Sequence, residues 1–220
     1  VTDHKKAPQQ GKNVTVKGDL GQSAAGKTDK NGELTVPEVE QTERHGVYIV
    51  GYTDGTFGPS RSMTRSEAAA IFARLLAEKN GDTISTAANT KFADIPAHAW
   101  YSGYVKYLSN NGITYGKSKT IFAPNDAITR AEFTTMAVRF FDVYGDGDAE
   151  IMEQFSGFSD VSSGYWAAEY IKYAALHGWI NGYGDGSFHA EREINRAEVV
   201  TIVNRLLGRE ADEDYIADNL

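Results

Sequence analysis

The sequence predicts a mainly α protein assembled from helix–loop–helix repeats, preceded by a short β-rich or irregular segment. Three observations predict it. A five-residue box occurs three times, as Met63-Thr64-Arg65-Ser66-Glu67, Ile128-Thr129-Arg130-Ala131-Glu132 and Ile194-Asn195-Arg196-Ala197-Glu198. Thr or Asn followed three residues later by Glu is a capping box: the first side chain accepts from the third helical N–H, and the Glu reaches back to the cap's own N–H. Downstream of the boxes, Ile71, Phe72, Leu75 and Leu76, and again Ile202, Val203, Leu206 and Leu207, recur at helical spacing. Finally, Gly51, Gly116 and Gly182 each stand six residues before a Phe (Phe57, Phe122, Phe188), and each Phe stands eight before the box Arg, at a period of 65 to 66 residues.

Residues 1–44 are polar, with alternating runs at Val14-Thr15-Val16 and Leu34-Thr35-Val36 and a two-residue hairpin signal at Asn31-Gly32. They hold too few apolar residues for a core of their own and read as a linker segment. Residues 45–81 form a partial repeat 1; residues 90–145 and 156–209 form repeats 2 and 3. Only the latter two carry an upstream half. Phe92-Ala93-Asp94 matches Phe158-Ser159-Asp160, Trp100 and Trp166 each follow their Phe by eight residues, and a second helix runs through Val105 and Leu108 or Ile171 and Ala174. Gly112 and Gly178 are expected to close these helices. The loops Gly51-Tyr52-Thr53-Asp54-Gly55 and Gly182-Tyr183-Gly184-Asp185-Gly186 carry Asp-Gly turns, whereas copy two reads Gly116-Lys117-Ser118-Lys119-Thr120. Phe57, Phe122 and Phe188 are expected to anchor the far end of each loop in the core. Residues 210–220 are an acidic tail, either the start of another helix at Tyr215-Ile216, with the half that copy one lacks following Leu220 in a longer parent, or a solvated, fraying end.

An arginine at the first helical position is mildly disfavoured by the helix dipole, yet Arg65, Arg130 and Arg196 occupy it three times. Two readings stand: an anion site made of Arg beside free helix N–H groups, or an Arg paired with a nearby carboxylate. Composition narrows the rest. The chain has 220 residues and no Cys, which excludes a disulfide framework, a thiolate metal site and a Cys nucleophile. Its net charge of −8 argues against nucleic acid as a partner. No apolar run approaches the roughly 18–20 residues that cross a bilayer, so no membrane insertion is expected. The chain opens Val1-Thr2-Asp3 without a signal sequence and reads as a processed or excised piece. The five His never adopt His-Glu-x-x-His spacing, and neither Gly-x-Ser-x-Gly nor a phosphate loop occurs. Asp142 to Glu150 lacks the ligand order and closing Glu of a calcium loop and reads as a solvated connection. No metal or cofactor is expected. Asp94 and Asp160 stand at equivalent positions of two repeats, where carboxylates cap helices or bind ligand more often than they form a glycosidase pair.

The ordered signature of Phe-x-Asp, Trp, Gly-Tyr-x-Asp-Gly-Ser/Thr-Phe and Ile-Thr-Arg-Ala-Glu resembles that of the S-layer homology domain over roughly residues 45–209. The resemblance implies a pseudo-threefold body with grooves between adjacent units and the first helices clustered about the axis. It implies no enzyme but an extracellular module at the bacterial cell surface, which anchors an exported protein to the wall non-covalently. The implied ligand is an anionic secondary cell-wall polysaccharide, commonly bearing pyruvate ketals. The implied ligand contacts are Arg65, Arg130 and Arg196 for the carboxylate, with Gly51, Gly116, Gly182, Asp94, Asp160, Tyr52 and Tyr183 around the sugar.

Departures from the pattern matter too. Asn195 and Ser66 replace Thr and Ala, both compatible with capping, and Lys117 and Lys119 either strengthen an anion groove or solubilise a loop. Copy one lacks the Asp and the Trp, so one groove should be incomplete. Two functions from different classes follow: a carbohydrate-binding anchor, or a structural module that binds protein neighbours in a surface lattice, with self-association or a fused cargo domain as further partners. Geometrically, the three capped helices are expected outside and the Trp-bearing helices near the axis, with Trp100 and Trp166 each removing about 150–250 Å² from water. The third central position should be filled by residues 209–220, by the segment before His45 or by a neighbouring molecule. Arg130 and Arg196 are expected at groove mouths with accessible guanidinium groups.

Overall fold

The computed structural model describes residues 46–144 and 155–209, together with the backbone of three strands, β1 (Asn13–Lys17), β2 (Ser23–Thr28) and β3 (Leu34–Thr35). The strands form an antiparallel sheet in the order β1-β2-β3, paired Thr15 with Ala25 and Thr28 with Leu34. The alternating runs at Val14 and Leu34 are therefore strands, and Asn31-Gly32, between two antiparallel partners, lies outside the described residues. So do the tail from residue 210 and most of the Asp142–Glu150 connection. The chain divides into two compact units, residues 1–45 and 46–220.

The second unit is helical: α1 (Arg65–Asn80), α2 (Ser102–Asn110), α3 (Arg130–Tyr144), α4 (Ala168–Leu176) and α5 (Arg196–Leu206). All three capping boxes form. Thr64 accepts from Glu67 N–H and Asn195 from Glu198 N–H, and each Glu returns to the cap's N–H; Thr129 and Glu132 make the same reciprocal pair at 3.2 and 3.1 Å. Helices α2 and α4 end in left-handed glycines, Gly112 (φ 74) and Gly178 (φ 69). The next residues, Ile113 and Trp179, donate back to Leu108 and Ala174 at 3.0 and 2.9 Å, the long closing bond of a Schellman ending.

The three copies meet in a closed ring. Met63 N–H donates to Ile194 C=O, Ile194 N–H to Ile128 C=O, and Ile128 N–H to Met63 C=O, at 3.0, 3.0 and 2.9 Å. All three side chains are fully buried. Short antiparallel bridges, Ser62 with Asn195, Thr64 with Ala127 and Thr129 with Glu193, flank this ring. It marks the pseudo-threefold axis that the repeat count implies.

The helices are arranged the other way round from the expectation. The capped helices α1, α3 and α5 are central, with α1 and α5 each packed against α3, while α2 lies on α1 and α4 on α3. Alanines at 68, 69, 70, 73 and 77 are all buried along α1, and their small side chains let neighbours approach closely. Phe72 packs on Phe133 and Phe140 with ring centroids 5.2 and 5.1 Å apart. Trp100 and Trp166 are 54% and 56% exposed, not buried. Each precedes its helix and so lies off the stripe, Val105 and Leu108 or Ile171 and Ala174, that the helix buries. The third tryptophan, Trp179, is the buried one and packs on Phe141 at 4.6 Å. With three capped helices at the centre, no central position awaits filling. Among the described residues, copy one shows no peripheral helix.

Phe122 and Phe188 are fully buried, but Phe57 is 40% exposed. The difference follows from the missing half-repeat. Phe92 packs on Phe122 at 5.5 Å and Phe158 on Phe188 at 5.2 Å; Phe57 has no such partner among the described residues. Truncating Phe72 to Ala should lower stability by about 3–5 kcal/mol, read as a reduced urea midpoint with an unchanged slope.

Candidate functional site

Each capped helix begins under the loop of another copy. In α1, Arg65 and Ser66 donate their backbone N–H to Asp126 and Pro124 C=O at 2.9 and 3.0 Å. In α3, Arg130 and Ala131 donate to Arg192 and Ala190 at 2.9 and 3.0 Å, and in α5, Arg196 and Ala197 donate to Arg61 and Pro59 at 3.1 and 3.0 Å. The helix N-termini are therefore occupied by carbonyl groups and offer no free anion site.

The box arginines follow the same cycle. They are 4%, 5% and 3% exposed, so their guanidinium groups lie beneath the surface rather than at accessible mouths. Arg65 Nε donates to Phe122 C=O (2.8 Å) and pairs with Glu132 (3.0 Å). Arg130 Nε donates to Phe188 C=O (2.9 Å), and its terminal nitrogens meet Glu198 (3.0 Å) and Asn181 C=O (3.3 Å). Arg196 donates to Phe57 and Val50 C=O at 2.9 and 2.6 Å and stands 4.0 Å from Glu67. Of the two readings of these arginines, pairing with a carboxylate is the one the geometry displays.

Burial pushes the Arg130 guanidinium below its ordinary pKa, with Tyr183 and Glu198 opposing the shift. Burial alone would raise Glu198, but the Asn195 N–H, Arg130, Tyr183 and Arg192 more than offset it and hold the carboxyl below the usual range.

Asp94 and Asp160 also have a structural task. Asp94 accepts from Phe122 and Ala123 N–H at 2.9 and 2.6 Å; Asp160 accepts from Phe188 and His189 N–H, both at 2.7 Å. Ala123 and His189 have φ of 57° and 54°, a left-handed conformation costly for residues with a Cβ, and the carboxylate holds them in it. In copy one no carboxylate takes these N–H groups among the described residues, and the residue equivalent to Ala123 and His189 is Gly58, at φ 63°. Gly116 and Gly182 are needed for close approach: an added Cβ would lie 2.4 and 2.5 Å from the rings of Phe92 and Phe158.

Three equivalent grooves result. The first is lined by Gly51 and Tyr52, by Glu67, Ile71 and Arg74 of α1, by Arg196 and by Trp100, and encloses about 260 Å³. The second, about 90 Å³, is lined by Tyr115 and Gly116, by Glu132, Met136 and Arg139 of α3, by Arg65 and by Trp166. The third, about 290 Å³, is lined by Gly182 and Tyr183, by Glu198, Ile202 and Arg205 of α5, by Arg130 and by Trp179 of its own copy. Each groove thus takes its loop and helix from one copy and its buried Arg from another; the first two take a Trp from the following copy. The expected site residues Arg65, Arg130, Arg196, Gly51, Gly116, Gly182, Tyr52 and Tyr183 are divided among these grooves. Asp94 and Asp160 line none of them.

Sequence reasoning missed a second arginine. Arg74, Arg139 and Arg205 each follow the box Arg by nine residues, a spacing as regular as the box itself. Arg74 donates to Tyr48 C=O at 3.1 Å and lies over Tyr104. Arg139 contacts the Tyr170 hydroxyl at 3.2 Å and lies over Tyr115 and Tyr170. Arg205 is exposed. Among the described residues, none of the three meets a carboxylate. Lys117 is paired with Asp126 at 3.0 Å, away from the second groove's lining.

A closed ring of three capped repeats with grooves between them defines a pseudo-threefold helical repeat body. The profile of the S-layer homology domain matches residues 35–69, 91–134 and 157–200, more than half of the chain. The chain belongs to the S-layer homology domain family. It is 32% identical to a cellulosome-anchoring protein of Acetivibrio thermocellus over 85% of this chain and 41% of that protein. It is 36% identical to cell surface glycoprotein 1 of the same organism, over 75% of this chain and 7% of that protein. It is also 32% identical to the surface-layer 125 kDa protein of Lysinibacillus sphaericus, over 72% of this chain and 13% of that protein. The chain thus spans less than half the length of these relatives. Family membership makes it an extracellular, cell-wall-associated anchoring module. Among the described residues, no helix is long and apolar enough to cross a membrane.

Two outcomes check the structural role of the arginine ring. Arg65→Ala, which strands Glu132 in a largely buried site, should cost about 3–5 kcal/mol in chemical denaturation. Because the Glu198 pKa is depressed in the folded state, its contribution is present above the unfolded value of about 4.3 and lost as pH falls through the folded one. Stability should therefore fall with acidification below about pH 4, and less steeply in Glu198→Gln.

Proposed function

We propose that this body holds its parent protein to the bacterial wall by binding an anionic secondary cell-wall polysaccharide in the grooves between repeats, and that it performs no catalytic step itself. One observation carries the reading: in the first two grooves an arginine that meets no carboxylate among the described residues, Arg74 or Arg139, stands beside a half-exposed tryptophan, Trp100 or Trp166. The buried Arg of each groove is already balanced by its Glu, so the second arginine leaves one uncompensated positive charge in a protein of net charge −8. A carboxylate on a sugar ring, as a pyruvate ketal supplies, suits that pairing: guanidinium for the acid, indole face for the ring.

In this reading Arg65, Arg130 and Arg196 set the groove floor, and Gly51, Gly116, Gly182, Tyr52 and Tyr183 form its loop rim. Asp94 and Asp160 act indirectly, by holding two of the loops. Bulk charge opposes an acidic polymer, so local geometry must supply the affinity.

The test is a pull-down with purified wall polysaccharide before and after chemical removal of pyruvate. Binding should drop on removal. Arg74→Ala and Arg139→Ala should each weaken it by about one to two decades, from a charge-assisted contact of roughly 1.5–3 kcal/mol, with the melting temperature little changed. Wild-type retention by the Arg74→Ala/Arg139→Ala double variant would leave lattice assembly through protein neighbours as the better reading.

A further inference from the structure

The three grooves hold equivalent positions in the ring, yet the second differs from the other two at its rim and at its floor. At the repeat spacing, Val50, Tyr115 and Asn181 correspond, each standing just before its loop glycine, and so do Ile49, Thr114 and Ile180. All six line their respective grooves. Copy two thus sets an aromatic ring where its counterparts set a smaller side chain, and a hydroxyl where they set isoleucine.

The ring changes the size of the groove. Tyr115 is 55% exposed, and its centroid lies 4.7 Å from the guanidinium carbon of Arg139. Tyr170 meets the same guanidinium, with its centroid at 4.9 Å and its hydroxyl accepting at 3.2 Å. Among the described residues, Arg74 meets one such ring, Tyr104, the counterpart of Tyr170. Arg139 is therefore fixed by two rings, and the groove around it encloses about 90 Å³, against about 260 and 290 Å³ for the others. At a share of about 30 Å³ each, that is room for roughly three water molecules. A carboxylate group fits such a space; a sugar ring with its substituents does not.

The floor changes the chemistry. Thr114 and Thr135 both line the second groove and are each 3% exposed. The Thr135 hydroxyl has no hydrogen-bond partner among the described residues, whereas buried hydroxyls are ordinarily paired. Its counterparts are Ala70, which has no hydroxyl, and Thr201, whose hydroxyl donates to Ala197 C=O at 3.0 Å. Glu132, the carboxylate in this lining, is paired with Arg65 at 3.0 Å. A guanidinium that meets no carboxylate and an unpartnered hydroxyl thus share a space too small for a ring.

We propose that the second groove is a carboxylate site in its own right. It takes the acid group of the wall polymer end-on, against Arg139 and the Thr135 hydroxyl, while Tyr115 keeps the sugar ring outside. The ring then rests on Tyr115 and Trp166, both half-exposed at the same groove. The first groove, wider and floored by Ile49, takes the ring together with its acid. The second groove therefore asks only for the charge, whatever sugar carries it. The identity of the polymer rests on the polysaccharide reading, whereas the selectivity of the groove follows from its own lining.

Each groove carries its own tryptophan, Trp100, Trp166 and Trp179 in order, so the three indole N–H signals of the isotope-labelled full chain report on three sites. The titrant is sodium lactate, which has the methyl, oxygen and carboxylate of a pyruvate ketal without the ring, with sodium chloride at equal ionic strength as the blank. The Trp166 signal should shift saturably while those of Trp100 and Trp179 stay still. The methyl glycoside of a pyruvylated hexose should move Trp100 as well as Trp166. Arg139→Ala should abolish the lactate response. Thr135→Val should weaken it by about tenfold, the worth of one hydrogen bond to a charged group, without lowering the melting temperature, because the hydroxyl has no partner to lose. Tyr115→Val, which installs the copy-one residue at an exposed position, should weaken lactate severalfold as the guanidinium loses a ring that fixes it. A Trp166 signal silent to lactate, Trp100 and Trp179 shifting alongside it, or a response indifferent to Tyr115 and Thr135 would overturn the proposal. Loss of the polymer pull-down with the lactate response intact would leave the carboxylate site standing and count against the polysaccharide reading alone.

Discussion

The structure depends on a circle of three hydrogen bonds. Met63, Ile194 and Ile128 each donate to the next around the axis, and each bond fixes the point at which a capped helix enters the core. From that point the helix N-terminus must lie beneath another copy's loop, because the free N–H groups of its first turn need acceptors. Loop carbonyls from Pro59, Pro124 and Ala190 provide them. The arginine at the first helical position, unfavourable against the helix dipole taken alone, becomes intelligible in the same frame. It reaches outward to a loop carbonyl and to a Glu of the neighbouring copy, and so joins adjacent repeats from inside.

One consequence is that a single Glu serves two purposes. Glu67, Glu132 and Glu198 close their own capping boxes with one oxygen and face the neighbouring copy's arginine with the other. Local helix initiation and association between repeats therefore share one side chain. Within the box the Glu thus has two neighbours to satisfy, one along the chain and one across the ring.

Much of this was legible in the sequence. The repeat count, the capping boxes and the glycine endings of α2 and α4 all follow from local spacing, which a linear text preserves. What was not legible is which helix faces the axis. Both kinds of helix carry an apolar stripe, and the alanine-rich character of α1 that marks it as central is muted in α3 and α5. Trp100 and Trp166 were expected inside because size suggests burial. Their place before the helix, off its stripe, is a matter of geometry rather than composition. The exposure of Phe57 could have been foreseen, since the ring that covers its counterparts is missing from the sequence. The second arginine, nine residues past the first, was in plain view; what hid it was that helical arginines on a polar face are ordinary.

Closure has a bearing on how such a body comes into being. Stacked repeat proteins can begin to fold anywhere and gain stability one repeat at a time. Here the contact between Arg196 and Phe57 joins residues 139 apart in sequence, and neither end of the ring is anchored until the last repeat meets the first. Such long-range contacts form late and slowly. A chain emerging across a membrane with its first repeat leading would keep that repeat unclasped until the third had followed, so grip would arrive in one step, only after the whole body had reached the outside.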